Sequence, residues 1–300
     1  MSEPWVVTGH AEVKQLFAEP RLEPLPARDP AEHRQMRRLL TGAFSARRMA
    51  ALKPGVDALA HRLLEELIPP VDFHAAFSDP FPELVIRRLL GAPPGEDLTE
   101  VARFKRGHPA DDVLSDLVHE VPPEEAARHA KILLYAGHVT TTTAIDKGLV
   151  PLDTHPDQRA ALWADPALAP GTVEEILRLP PKSPLIGGRP RRATADFETG
   201  GRTLRTGDLV LLSAVRANLD ETVFANPTTF DIRRDARGHL AFGHGPHHCL
   251  GAPLARLELR AVFTALPRVL PGFRLAVPPS ELERRFDVSH TEFAQLPVTW

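Results

Sequence analysis

The stretch HLAFGHGPHHCLG, residues 239–251, holds the one cysteine of the chain, Cys249. Four histidines (His239, His244, His247, His248) and three glycines (Gly243, Gly245, Gly251) surround it. Glycines permit positive φ and let the backbone approach a flat ligand. Pro253 suits the first turn of a helix, so Cys249 sits in a loop just before a helix N-terminus. The positive end of that helix favours a thiolate, and a thiolate there is a metal ligand or a nucleophile. Zinc would use Cys249 with His244, His247 and His248, yet no second C-x-x-C or H-x-x-x-H pair occurs elsewhere. A Cys–His nucleophile would need an oxyanion-stabilising segment, and none stands out. A lone cysteine also serves as a small buried apolar residue.

The longer string FGHGPHHCLGAPLARLELR resembles the heme-binding loop of cytochrome P450, the heme-thiolate monooxygenases. The loop pattern F-x-x-G-x-x-x-C-x-G is met by Phe242, Gly245, Cys249 and Gly251. The resemblance implies heme b, iron protoporphyrin IX, with Cys249 as axial ligand and Phe242 and Gly243 beside the cofactor. In this family the thiolate pushes electron density toward iron and favours O–O cleavage. Other segments agree in the same order. EEILR supplies E-x-x-R as Glu175 and Arg178, which in the family lock with a later arginine, here Arg233 of FDIRRD. DPAEHRQMRRLLTGAF resembles the helix whose His33 and Arg37, four apart on one face, would reach the heme propionates. Arg191 of RRATADFETGG and His247 complete the implied propionate partners, a sound match of cations to carboxylates. His244 and His248 receive no role.

AGHVTTTTAI, residues 136–145, resembles the helix that crosses the distal face of the heme. The family pattern is A-G-x-acid-T, which makes Gly137 and Thr140 the expected catalytic positions. Val139 replaces the acid, and valine relays no proton. His138 is adjacent, but neighbouring helix residues point about 100° apart. The other three threonines read as buried helix.

These residues need elements to hold them. The first two thirds read mainly as helix: HAEVKQLFAEP stopping at Pro20, a helix from Pro30, VDALAHRLLEELI, a long one from about Pro123 to His155, and TVEEILRL stopped by Pro180 and Pro181. A Gly200–Gly201 turn between extended runs signals a hairpin, and FRLAV, FDVSH and PVTW are short strand candidates. PLARLELRAVFTAL returns to helix. The expected fold is mainly α with small β-sheets, a truncated cytochrome P450-like fold, as one domain over residues 1–300. Thirty-one prolines in 300 residues, about twice ordinary usage, mark many fixed corners.

The formal net charge of -3 points to no nucleic-acid partner. No apolar run is long enough for a bilayer, no signal peptide is evident, and a lone cysteine suits a reducing cytoplasm. Family members are longer. The links Arg21–Pro30 and GEDLTEVARFKRGHPADDVLSDLV leave no room for the usual helices over the substrate. The resemblance therefore implies an intact heme cradle under an incomplete roof. A bulky, carrier-borne or peptide-borne substrate, a partner protein or a second copy would close such a site. The implied activity is oxidation of an organic substrate in specialised metabolism, with electrons from ferredoxin and ferredoxin reductase. Arg256 and Arg260 are candidates for a docking face. Val139 motivates a peroxide-using or oxygen-independent variant. The missing roof motivates a non-catalytic heme-binding module that recruits a partner.

Overall fold

The computed structural model describes residues 4–27, 29–179, 188–286 and 291–300. Their contacts separate into two compact units, Met1–Arg34 with Glu174–Cys249, and Gln35–Val173 with Leu250–Trp300. The architecture is mainly helical with small sheets, as the sequence implies.

In the first unit, the strand Leu209–Leu212 pairs in parallel with Trp5–Val7 and antiparallel with Arg189–Ala193. Arg189–Ala193 in turn pairs antiparallel with Leu22–Pro24. The helix His10–Phe17 turns Val13, Leu16 and Phe17 onto this sheet's core with Val7, Leu22, Ala193, Val210 and Leu212. The predicted hairpin forms between Phe197–Thr199 and Arg202–Leu204. Gly200 and Gly201 take φ of 53° and 70°, the left-handed pair that matches strand twist in a two-residue turn.

The second unit is organised by one helix, Pro123–Thr154. Pro123 and the acids Glu124 and Glu125 open it, where a missing N–H costs nothing and negative charge meets the dipole. It ends at His155, ahead of Pro156, as a residue before proline disfavours helix. Three shorter helices, Pro80–Leu90, Leu98–Gly107 and Val113–Glu120, pack on it. The last two occupy the GEDLTEVARFKRGHPADDVLSDLV stretch. A three-stranded sheet joins Val71–Asp72, Pro297–Thr299 and Arg274–Leu275. Phe73, Phe77 and Phe81, spaced four apart, pack in sequence, the first pair tilted with centroids 4.9 Å apart and the second stacked at 5.3 Å.

One helix start differs clearly from expectation. The helix expected from Val56 begins ten residues earlier, at Ala46, and runs to Glu65 through Pro54. Ser45 caps it by accepting from the Arg48 amide, and Gly55 makes space for the Arg88 guanidinium, which a Cβ would meet at 2.3 Å. The helix after the cysteine runs from Ala252 to Val269 with Pro253 in its first turn, as expected. The stop at Pro180 and Pro181 and most of the FDVSH strand lie outside the described residues, although Phe286 ends the strand Arg284–Phe286.

Candidate heme-thiolate site

The cysteine loop is shaped by two left-handed glycines. Gly243 and Gly245 both have φ of 71°, which residues with a Cβ adopt at a cost of about 1–2 kcal/mol. Gly245 also needs its missing side chain: a Cβ there would lie 2.8 Å from the Ala18 Cα and 3.2 Å from the Phe17 carbonyl oxygen. Gly251 has φ of −77° and stands as the residue before the helix that begins at Ala252. The Cys249 amide donates to the Phe242 carbonyl at 2.9 Å and the His248 amide to Gly245 at 3.0 Å. These bonds close the loop and leave the thiol exposed.

His33 and His247 come together, with ring centroids 4.2 Å apart and planes 31° apart. Asp29 fixes the start of His33's helix, Pro30–Thr41, by accepting from the Ala31 and Glu32 amides at 2.7 and 3.0 Å. Those amides hold the Asp29 carboxyl below its usual pKa. Arg37 follows one turn later on that helix, half-buried.

Arg191 lies on the strand Arg189–Ala193, only 5% exposed. Its guanidinium donates to the Pro190 carbonyl at 3.1 Å and sits 5.6 Å over the Phe17 ring. Burial, and then repulsion from Arg189, push its pKa down to about 10. Among the described residues no carboxylate pairs with it. A buried cation without a counter-charge is costly, and an anionic ligand group would answer it.

Behind the loop lies a buried ion cluster. Arg178 is fully buried and forks onto Glu175 through Nε and Nη2 at 2.7 and 2.8 Å, while Nη1 donates to the Asn218 and Pro227 carbonyls. The third member is Arg234, whose Nε lies 3.2 Å from Glu175. The expected Arg233 is exposed. Its amide donates to Asp231, whose own amide donates to Glu175, and this turn aims the next side chain, not Arg233, at the glutamate. Glu174, one residue before Glu175, meets the buried His239 at 3.2 Å. No signal short of the fold pairs residues that far apart in sequence.

In the other unit, Gly137 and Thr140 lie mid-way along Pro123–Thr154. A Cβ on Gly137 would come within 3.1 Å of Ile86, so this glycine lets the Pro80–Leu90 helix approach. Thr140 is exposed, and its hydroxyl donates to the Ala136 carbonyl at 2.8 Å. Thr141, Thr142 and Thr143 are buried as expected. His138 is held by Asp79, 2.9 Å from its carboxylate and 2.8 Å from its carbonyl. Two turns on, the buried Asp146 bonds to His74 at 2.7 Å, a pair the sequence reading missed. Its only cue is an acid among mostly apolar residues towards the end of a long helix. His74 and Ser78 lie on a five-residue π-turn, His74–Ser78, a wide turn frequent at functional sites.

Among the described residues no cluster of three or more His, Cys, Asp or Glu could hold a metal, which leaves the zinc alternative without a ligand set. A profile described as Cytochrome P450 matches residues 167–299. Cytochrome P450 105A3 of Streptomyces carbophilus is 35% identical over 99% of this chain and 87% of its own length. Pentalenolactone synthase of Streptomyces exfoliatus is 35% identical over 99% of this chain and 90% of its own. The chain belongs to the cytochrome P450 family. In the crystal structure of cytochrome P450 MoxA from Nonomuraea recticatena, the fold superposes with a TM-score of 0.91 at 32% identity, over 100% of this chain and 90% of that one.

Membership in the cytochrome P450 family makes this an enzyme of that type with a heme cofactor. The residues fit such a group: a glycine-shaped loop presents an exposed thiol, which could ligate iron, and the buried Arg191 guanidinium could take an anionic group. The first alignment runs over 357 positions against a chain of 300, so at least 57 positions of the relative face gaps inside the matched span. Among the described residues no helix is long and apolar enough to cross a membrane.

Proposed function

We propose that residues 1–300 act as one heme-thiolate domain that oxidises an organic substrate of specialised metabolism. Cys249 ligates the iron of heme b. His33, Arg37, Arg191 and His247 take the propionates, and Phe242 and Gly243 lie along the ring. The unanswered guanidinium of Arg191 carries this reading best, with the His33–His247 contact beside it. When bound, the heme supplies dioxygen activation and insertion of one oxygen atom into the substrate. Thr140 holds a hydroxyl on the exposed side of its helix, free to turn from the Ala136 carbonyl toward an incoming acceptor. Gly137 keeps the helix close to Ile86 and so fixes where that hydroxyl stands.

Electrons come from a ferredoxin and its reductase. The substrate is large, carrier-borne or peptide-borne, or a second copy or partner protein covers it, because the links at 21–30 and 95–118 are too short in the sequence for the usual helices over the substrate. The engaged His138 favours a peroxide-driven variant: its imidazole is tied to Asp79 and cannot replace the acid absent at Val139.

The absorption spectrum of the reduced, carbon monoxide-bound protein tests the ligand. A thiolate-type band in the wild type, lost in Cys249→Ser, is expected. An unchanged band in that variant, or a purified protein that takes up no heme, overturns the reading. Turnover with peroxide alone, compared with reductase, ferredoxin and dioxygen, decides the oxidant.

A further inference from the structure

We propose that Glu174 and His239 form a positioning couple for the cysteine loop, a carboxylate setting one imidazole tautomer that in turn holds the loop's backbone. The inference rests on the reading of Cys249 as heme ligand, although its structural part stands apart from it.

The geometry fixes the proton. The Ala241 amide lies 3.2 Å from His239 Nδ1. An amide N–H only donates, so Nδ1 carries the lone pair and the ring proton sits on Nε2. Nε2 lies 3.2 Å from Glu174 Oε2, so the neutral ring donates to a carboxylate. His239 and Glu174 are 7% and 6% exposed, and water cannot readily replace either bond. An imidazolium would set an Nδ1 donor against the Ala241 donor. An apolar ring would take away the acceptor of the Ala241 amide and the Nε2 donor that faces Glu174.

The couple ties into the loop at successive points. The Leu240 amide donates to Asn218 Oδ1 at 2.7 Å, and Asn218 Nδ2 donates to the Arg178 carbonyl at 3.1 Å. The helix carrying Glu174 therefore holds the segment 239–241 by two routes. Arg189 Nη2 also donates to the Ala241 carbonyl at 3.3 Å. One residue on, Phe242 lies 5.7 Å from the His239 ring and accepts the Cys249 amide. A shift at Ala241 moves the peptide that receives the cysteine's N–H. His239 and Glu174 touch neither sulfur nor cofactor; they act through Ala241 and Phe242, as outer-shell partners orient a ligand.

The test uses His239→Phe, His239→Gln and Glu174→Gln in the full chain. Amide exchange reads the structural part whether or not heme is present. His239→Phe should speed exchange at Ala241 and Cys249 about 10-fold or more, while distant helices keep their rates. His239→Gln can accept and donate in the same two directions and should restore most of that protection. In the heme-loaded protein, His239→Phe should convert part of the thiolate-type carbon monoxide band to the neutral-thiol type. His239→Gln should show less conversion. If His239→Phe does not fold, nitrogen shifts of the wild-type imidazole and of Glu174→Gln decide instead. A proton on Nδ1, or a doubly protonated ring, in the wild type overturns the proposal. Unchanged exchange at Ala241 and Cys249 in a folded His239→Phe protein overturns it too. Failure of the heme reading looks different: no thiolate band in the wild type, with the exchange pattern intact.

Discussion

Around Cys249 the chain is tied from many directions. On the central helix three threonine hydroxyls bond back to their own helix. Gly245 lies against Ala18, Arg189 donates to the Ala241 carbonyl, and the His239 ring meets both Ala241 and Phe242. Thr140, Thr142 and Thr143 each donate to the carbonyl four residues back. Such back-bonds keep a hydroxyl satisfied and leave it easy to redirect. In the proposed reading, Cys249 needs the fixed loop and Thr140 a hydroxyl that can be redirected.

That contrast can be broken in order of size. Glu175→Ala strips the carboxylate from a fully buried Arg178 and should cost about 3–5 kcal/mol, read by urea unfolding. A loss of less than about 1 kcal/mol would show that the carbonyls of Asn218 and Pro227 hold Arg178 alone. Gly245→Ala should cost about 1–2 kcal/mol from its left-handed backbone, plus the displacement of Ala18. Calorimetry should show a lower melting temperature, and heme should leave faster.

His74→Gln tests the other unit through pH. The hydrogen bond to Asp146 raises the His74 pKa above the ordinary 6.5, helped by the charges of Asp146, Asp72 and Asp79. Burial raises that of Asp146, with Ser78 close enough to oppose it. Both groups bind protons more tightly folded than unfolded. The stability that His74 adds is therefore present in full below pH 6.5 and lost as pH rises through its raised value. Unfolding curves of wild type and His74→Gln should differ most in mild acid and converge above neutrality. A gap that widens with pH would reverse the assignment.

Val139→Asp should move stability least, because Val139 is only half-buried. It should raise the share of electrons recovered in product if dioxygen is the oxidant. The ratio of product to reduced nicotinamide consumed measures this, and an unchanged ratio counts against Val139 as the missing acid.

The cysteine loop was legible in the sequence because its chemistry is local: Phe242, Gly245 and Cys249 stand within one short stretch. The long helix was legible because prolines bracket it. Arg234 was not, because two adjacent arginines look alike until a turn aims one of them. Pro54 hid half a helix, since a proline within a pattern reads as its start. The His74–Asp146 and Glu174–His239 pairs were invisible because their partners are 72 and 65 residues apart.

Glu174 and Glu175 are neighbours with different addresses, one serving the cysteine loop and the other the buried arginines. Consecutive helical residues point about 100° apart, so the two tasks are met together in only one rotational setting of Ala169–Arg178. Deleting or inserting a single residue ahead of Glu174 in this helix would misdirect both carboxylates at once. Chain length can vary in the connections of this protein far more freely than inside those ten residues.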